Sequence, residues 1–352
     1  MSLYNWIYDP VSRLRPGDLL GVDQPYKPWP PRYRWRFNAG LRALVFWGTL
    51  FAIMVAGSLI FVLAALAGGA LAGAQGASDP NEALAPVMDE ISYSGLALTE
   101  LLGAIVAYVV MTCAMEKRGW PVELGWRRLA GLAQGALVGF IAMSLIIGLL
   151  ALAGSYRIIG FNGSYSPWND LLMVGVTAGV AEELMFRGAM FRLLEDTFGS
   201  WVAIIGSCLV FGLIHVANPD GTLVGGMGIA IESLVFPALY MATRSLWWVI
   251  GLHFAWNMTQ GPIWGSVVSG MGEPSSMLVT SWSGPEWLTG GLFGIEGSVV
   301  TMVVLGAFGV WLLGRVHRSG NFVQPFWRRR QHLMAVSSSE TGPAAGEVSA
   351  AG

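Results

Sequence analysis

Six residues between positions 182 and 257 have the types and spacing that hydrolytic chemistry needs. The first group reads Val180-Ala181-Glu182-Glu183-Leu184-Met185-Phe186-Arg187-Gly188. The second is Phe211-x-x-x-His215 and the third His253-x-x-x-Asn257. Cleaving a peptide bond needs a base to activate water and donors for the oxyanion that develops. Glu182 with His215 supplies the first requirement, and His253 with Asn257 the second. On a helix, positions four apart share a face. Glu183 and Arg187 are so placed, and form a supporting ion pair. Glu182 then lies on a different face and is free for chemistry.

These residues sit in segments where charge is costly. The chain has 352 residues, 54% hydrophobic and 12% charged, with a mean hydropathy of +0.56. Soluble domains carry about 25% charged residues, so this composition points to a membrane. Insertion scales put an Asp, Lys or Arg at a helix centre at about +2.5 to +3.5 kcal/mol. Ionisable groups there mark function. Spans one and three hold none in their interior. Span two holds only Glu100, near its outer end.

A spanning helix needs roughly 20 mainly apolar residues. Eight candidate spans follow: 41–67, 96–115, 129–153, 171–194, 201–216, 223–242, 246–263 and 299–316. The loops between them alternate between basic and non-basic. Arg13, Arg15, Lys27, Arg32, Arg34, Arg36 and Arg42 precede span one, and Asp79, Glu82, Asp89 and Glu90 follow it. Lys117, Arg118, Arg127 and Arg128 follow span two, while Arg157 alone follows span three. Arg187, Arg192 and Arg244 mark later basic turns, and Arg315, Arg318 and Arg328 to Arg330 the tail. Cytoplasmic loops concentrate Lys and Arg. Both termini are therefore expected in the cytoplasm, as suits a bacterial inner membrane. Trp47, Trp201, Trp247 and Trp248 stand near span ends, where amphipathic rings favour the interface.

The expected fold is all-α, a polytopic membrane helical bundle with a polar site in its core. Its parts are a cytoplasmic segment over 1–40, N-terminal membrane helices over 41–160 and a catalytic core over 161–265. An outer loop and last helix follow over 266–316, then a basic and finally disordered tail over 317–352. The first apolar run starts too late and runs too long for a signal peptide, and the terminal Ala351-Gly352 is no prenylation box. Cys113 and Cys208 read as small buried apolar residues, and Phe211 as packing. Glu232 reads as cavity lining or half of a structural pair. His317 and His332 read as solvated residues of the tail.

Depth supports a common site. At about 1.5 Å per residue, Glu182 lies roughly 18 Å from its cytoplasmic end, His215 roughly 21 Å, and His253 and Asn257 roughly 10 to 17 Å. Polar groups from three helices then converge near mid-membrane.

In this order on successive membrane helices, Glu182-Glu183-x-x-x-Arg187, Phe211-x-x-x-His215 and His253-x-x-x-Asn257 resemble the CPBP family. It comprises the CAAX prenyl proteases of the Ras-converting type and their bacterial relatives. The resemblance covers residues 169 to 265. It implies that Glu182 activates water with His215, that His253 and Asn257 hold the oxyanion, and that Glu183 and Arg187 support the site. It also raises a metal. The soluble zinc-protease signature is absent, but Glu182, His215 and His253 form a two-His, one-carboxylate set that could ligate zinc. The implied partners are membrane lipid and a peptide or membrane-protein substrate; nothing reads as nucleic-acid binding. A transporter with an intramembrane proton or ion relay is the main alternative, though no internal repeat of the kind transporters show is visible. A non-catalytic scaffold of the same fold is the third.

Overall fold

The computed structural model describes residues 38–74, 80–116 and 120–329. The N-terminal segment expected in the cytoplasm, up to residue 37, the 335–352 tail and His332 fall outside the described residues. Within them the chain is an all-α polytopic membrane bundle with one small sheet.

Helix α1 is Ala39–Ala74, and α2 is Pro80–Val109, continued by a π-helical turn Val110–Met115. The two pack side by side. Helix α3 is Ala130–Leu152. The outward faces of α1 and α3 are apolar, with Leu59, Leu63, Leu137, Ile141 and Leu145 exposed. Such a surface is a liability in water and is at home in lipid. Five helices are long and apolar enough to cross a membrane: Ala39–Gly68, Gly95–Met115, Trp126–Leu152, Leu223–Thr243 and Val299–Arg318.

The other three expected spans are helical but shorter or interrupted. Helix α4 covers 168–198, as α-helical turns separated by π-helical segments Leu171–Thr177 and Leu184–Phe191. Helix α5 is Ser200–His215, and α8 is Leu246–Met258, extended by a π turn Thr259–Ile263. The expected sixth span divides into α6, Leu223–Glu232, and α7, Val235–Thr243. Pro237 explains the break, because it has no N–H to give the carbonyl of Ser233. Irregular backbone at membrane depth is tolerated where it lines a cavity or is buried in protein.

The outer loop from Trp264 to Ser298 is more ordered than its sequence suggests. Strand β1, Tyr156–Phe161, pairs antiparallel with β2, Leu278–Trp282. The turn α9, Glu286–Thr289, leads to the last helix α10, Val299–Arg318. The carboxylate of Glu296 pins the loop: it accepts from Trp256 Nε1 at 3.1 Å, from Ser269 N at 2.6 Å and from Ser269 Oγ at 2.9 Å.

Several arginines that read as loop charges are in fact buried. Arg42 pairs with Glu116 at 3.0 Å and with Asp196; Arg192 pairs with the other oxygen of Glu116 at 2.8 Å. Arg244 pairs with Glu195, and Arg329 reaches Asp196 at 3.4 Å. Arg128 donates to the carbonyl of Arg244 at 2.6 Å. These contacts gather the start of α1 and the ends of α2, α4 and α7 at one end of the bundle. His317 is exposed at the end of α10, as expected, with its ring against Phe322.

Candidate active site

The site is built on α4, where two adjacent glutamates point to different neighbours. Glu183 and Arg187 are fully buried, at 0% and 1% exposure. Arg187 Nη1 donates to Glu183 Oε1 at 2.8 Å, one helical turn away, as the spacing predicts. The same oxygen lies 2.9 Å from His253 Nδ1 on α8. A carboxylate is an acceptor only, so Nδ1 carries the proton. The other ring nitrogen, Nε2, then faces Glu182, whose Oε2 is 3.8 Å away. Glu183 therefore orients His253, and the free carboxylate opposite it is that of Glu182.

Arg187 is also held from the side. Its guanidinium lies over the rings of Phe211, at 5.0 Å, and Phe236, at 4.4 Å. Phe211 packs edge-on against His215 at 4.6 Å, and Phe236 edge-on against His253 at 5.5 Å. So Phe211 is packing, as expected, but packing that links the cation to both imidazoles.

His215 closes α5. Its Nδ1 sits 2.7 Å from the carbonyl of Phe211, one turn back, which fixes the ring and leaves Nε2 unengaged. The Nδ2 of Asn257 donates to the carbonyl of Val174 at 3.1 Å. That carbonyl lies in the first π segment of α4, and π segments recur at functional sites.

Glu182, His215, His253 and Asn257 all line one cavity of about 430 Å³. Its remaining wall is largely apolar, with Met54, Met173, Met185 and Ile214. Val268, Ser269 and Met271 of the outer loop contribute to it as well. Met side chains adapt to irregular ligands. Two wall residues were not singled out for the site by sequence. Glu100 of α2 faces the cavity, although sequence placed it merely near the outer end of its span. Asn218, just past α5, lines it too. Only the pattern of charge inside an apolar run could have flagged Glu100.

The sequence raised Glu182, His215 and His253 as a set that could ligate a metal. Among the described residues no group of three or more His, Cys, Asp or Glu is placed to hold a metal ion. The contact that Glu182 makes is to His253, and each histidine has its Nδ1 engaged by protein. That leaves Nε2 of each as the nitrogen that would face a metal, since metal-ligating histidines commonly have their other nitrogen held by protein. Cys208 is buried and Cys113 half-buried, and they are not bonded to each other.

Residues 164–259 match the family model of the Rce1-like type II CAAX prenyl endopeptidases. The matched segment runs from just before α4 into the turn after α8 and contains all three sequence motifs. This segment is similar to that family, and the resemblance to the CPBP proteases rests on it. No curated protein and no solved structure matches the chain.

Proposed function

We propose that the chain is an intramembrane endopeptidase in which the carboxylate of Glu182 activates the attacking water. The observation that carries this is the placement of Glu182 Oε2. It is buried, has no hydrogen-bond partner among the described residues, and stands 3.8 Å from His253 Nε2. Polar groups separated by more than about 3.5 Å are commonly bridged by water.

Glu182 takes a proton from that water, and the hydroxide adds to the scissile carbonyl. His215, its Nδ1–H held by the Phe211 carbonyl, offers Nε2 as an acceptor that aligns the water. His253, as the imidazolium with Nδ1–H on Glu183, presents Nε2–H to the developing oxyanion. The second N–H of Asn257 is the other donor. Glu182 then returns its proton to the leaving nitrogen as the C–N bond breaks. Glu183 and Arg187 touch no reacting atom and hold His253 in place. The outer loop pinned by Glu296 roofs the site and limits water to what the reaction consumes.

The substrate is a membrane-associated peptide or protein, and the family that the matched segment resembles makes a prenylated CAAX end the first probe. The purified protein in lipid nanodiscs is incubated with a farnesylated CAAX peptide, its unprenylated counterpart and a panel of membrane-inserted peptides. Products are read by mass spectrometry, with Glu182→Gln as the control. Cleavage by the parent and none by the variant is expected. If the parent cleaves nothing but moves protons or ions across proteoliposomes, the transporter reading replaces this one.

A further inference from the structure

Behind the two imidazoles lies a second, smaller chamber of about 30 Å³. His215, His253, Asn257 and Ser269 line it, as they line the main cavity, so these four residues form the partition between the two spaces. Its far wall carries Glu232, Ser233 and Glu296. Glu296 is satisfied by Trp256 and Ser269. Glu232 is not: it is 5% exposed, its Oε1 has no hydrogen-bond partner, and no ion pair reaches it among the described residues.

A buried carboxyl without partner or cation is costly. Within a membrane such a group is a functional flag. Of the groups facing it, Glu296 comes from the outer loop, and His215 and His253 come from α5 and α8. His253 is a cation only as the imidazolium, whose Nδ1–H is held by Glu183, and Arg187 is committed to Glu183 and stacked behind Phe211 and Phe236. A chamber of about 30 Å³ holds about two or three waters, since one water needs roughly 10–15 Å³. The local backbone is shaped for it: Glu232 ends α6 at the Pro237 break, and Gly212 of α5 lies against Gly226 and Ala230 of α6.

We propose that Glu232 is the proton store of the site, connected to the reacting atoms by chamber water passing between the imidazoles. The proposal rests on the peptidase reading above. Amide hydrolysis near neutral pH ends in a carboxylate and an ammonium. Glu182 moves one proton from water to the leaving nitrogen. The amine must then gain a second, and the new carboxylic acid must lose one. The Glu232 carboxyl gives its O–H proton through chamber water to the amine, becoming a carboxylate. It regains a proton from the new acid, so the protein ends unchanged and no further reactant is needed.

The test uses the full chain in nanodiscs, as Glu232→Gln, Glu232→Asp and the parent, with whichever peptide probe the parent cleaves. Turnover is expected to fall roughly 10²-fold in Glu232→Gln, the size of a general acid–base contribution. KM should be unchanged, the alkaline limb of the pH–rate profile altered, and Asp should restore part of the rate. Infrared difference spectra in H₂O and D₂O should show an exchangeable carboxylic C=O band that Glu232→Gln removes. A Gln variant with parental turnover and pH profile overturns the proposal, and so does one that only melts lower. If the parent cleaves no probe, the peptidase reading falls separately, and the infrared band alone decides whether Glu232 stores a proton.

Discussion

The Oε1 of Glu183 lies 2.9 Å from His253 Nδ1 and joins the second glutamate of α4 to the histidine of α8. The same oxygen takes Arg187 at 2.8 Å. One buried carboxylate thus sets the orientation of an imidazole and neutralises a guanidinium. Removing it should harm both. Glu183→Ala leaves Arg187 buried and uncompensated, a change that costs about 3–5 kcal/mol. Glu183→Gln keeps a hydrogen-bonding oxygen for His253 but not the charge, so it should melt closer to the parent. Thermal unfolding in detergent should rank the parent above Gln and Gln above Ala. Turnover in the folded Gln variant should still fall, because the imidazolium loses its counter-charge.

Glu182 behaves in the opposite sense. Its Oε2 is buried with no hydrogen-bond partner among the described residues, so replacing the carboxylate breaks no hydrogen bond of the fold. Glu182→Gln is expected to abolish cleavage, by roughly 10²-fold or more, while melting at or above the parental temperature. A variant that loses activity only in proportion to lost folded protein would remove Glu182 from the chemistry.

How legible this was in the sequence depends on the kind of information. The Glu183–Arg187 pair followed from helical spacing alone, and the meeting of α4, α5 and α8 from the cost of charge in apolar runs. The pairing of Glu183 with His253 did not. Those residues are 70 apart, and no local period reports which of two adjacent glutamates a distant helix will face. The division of α6 from α7 was hidden because the whole stretch remains apolar, with Pro237 the one local sign. The burial of Arg42, Arg192 and Arg244 was missed because their acidic partners Glu116, Asp196 and Glu195 lie far away in sequence or among ordinary loop charges. The sheet of β1 and β2 joins strands separated by more than a hundred residues, beyond any pattern a single segment carries.

The glycines of α3 set the position of His253. Gly131, Gly135 and Gly139 recur at four-residue spacing and face α8. A Cβ on Gly135 would lie 2.0 Å from the carbonyl oxygen of Trp248, and one on Gly139 would lie 2.5 Å from that of Leu252. From the other side, a Cβ on Gly251 would lie 2.0 Å from the carbonyl oxygen of Leu132. Small residues let membrane helices approach this closely. Gly135→Val must push α8 outward, an overpacking strain of about 1–3 kcal/mol. It should lower the melting temperature and cut turnover by displacing His253 from Glu182. Gly148→Val on the same helix meets nothing within 4 Å, and it should leave both unchanged.

The ion-pair network at the far end of the bundle should separate stability from catalysis. Glu116 holds Arg42 at 3.0 Å and Arg192 at 2.8 Å, all three nearly inaccessible. Glu116→Ala takes from Arg192 the carboxylate it pairs with, while Arg42 keeps Asp196, and about 3–5 kcal/mol of destabilisation is expected. The folded fraction should keep parental turnover, since none of the three lines the catalytic cavity. The measurement is cleavage per folded molecule at a temperature below both melting transitions.

Chelation tests the donor geometry. Glu182, His215 and His253 do not form a metal-holding group among the described residues, while Nε2 of each histidine is left over by the Nδ1 contacts to Phe211 and Glu183. A mechanism run by the Glu182 carboxylate needs no divalent ion. Prolonged treatment with EDTA or 1,10-phenanthroline, followed by removal of the chelator, should therefore leave cleavage of the peptide probe unchanged. Activity that disappears and returns on adding zinc, with His215→Ala abolishing zinc uptake, would mean the two imidazoles and Glu182 close around a metal. The water would then be activated by that ion and not by the carboxylate alone.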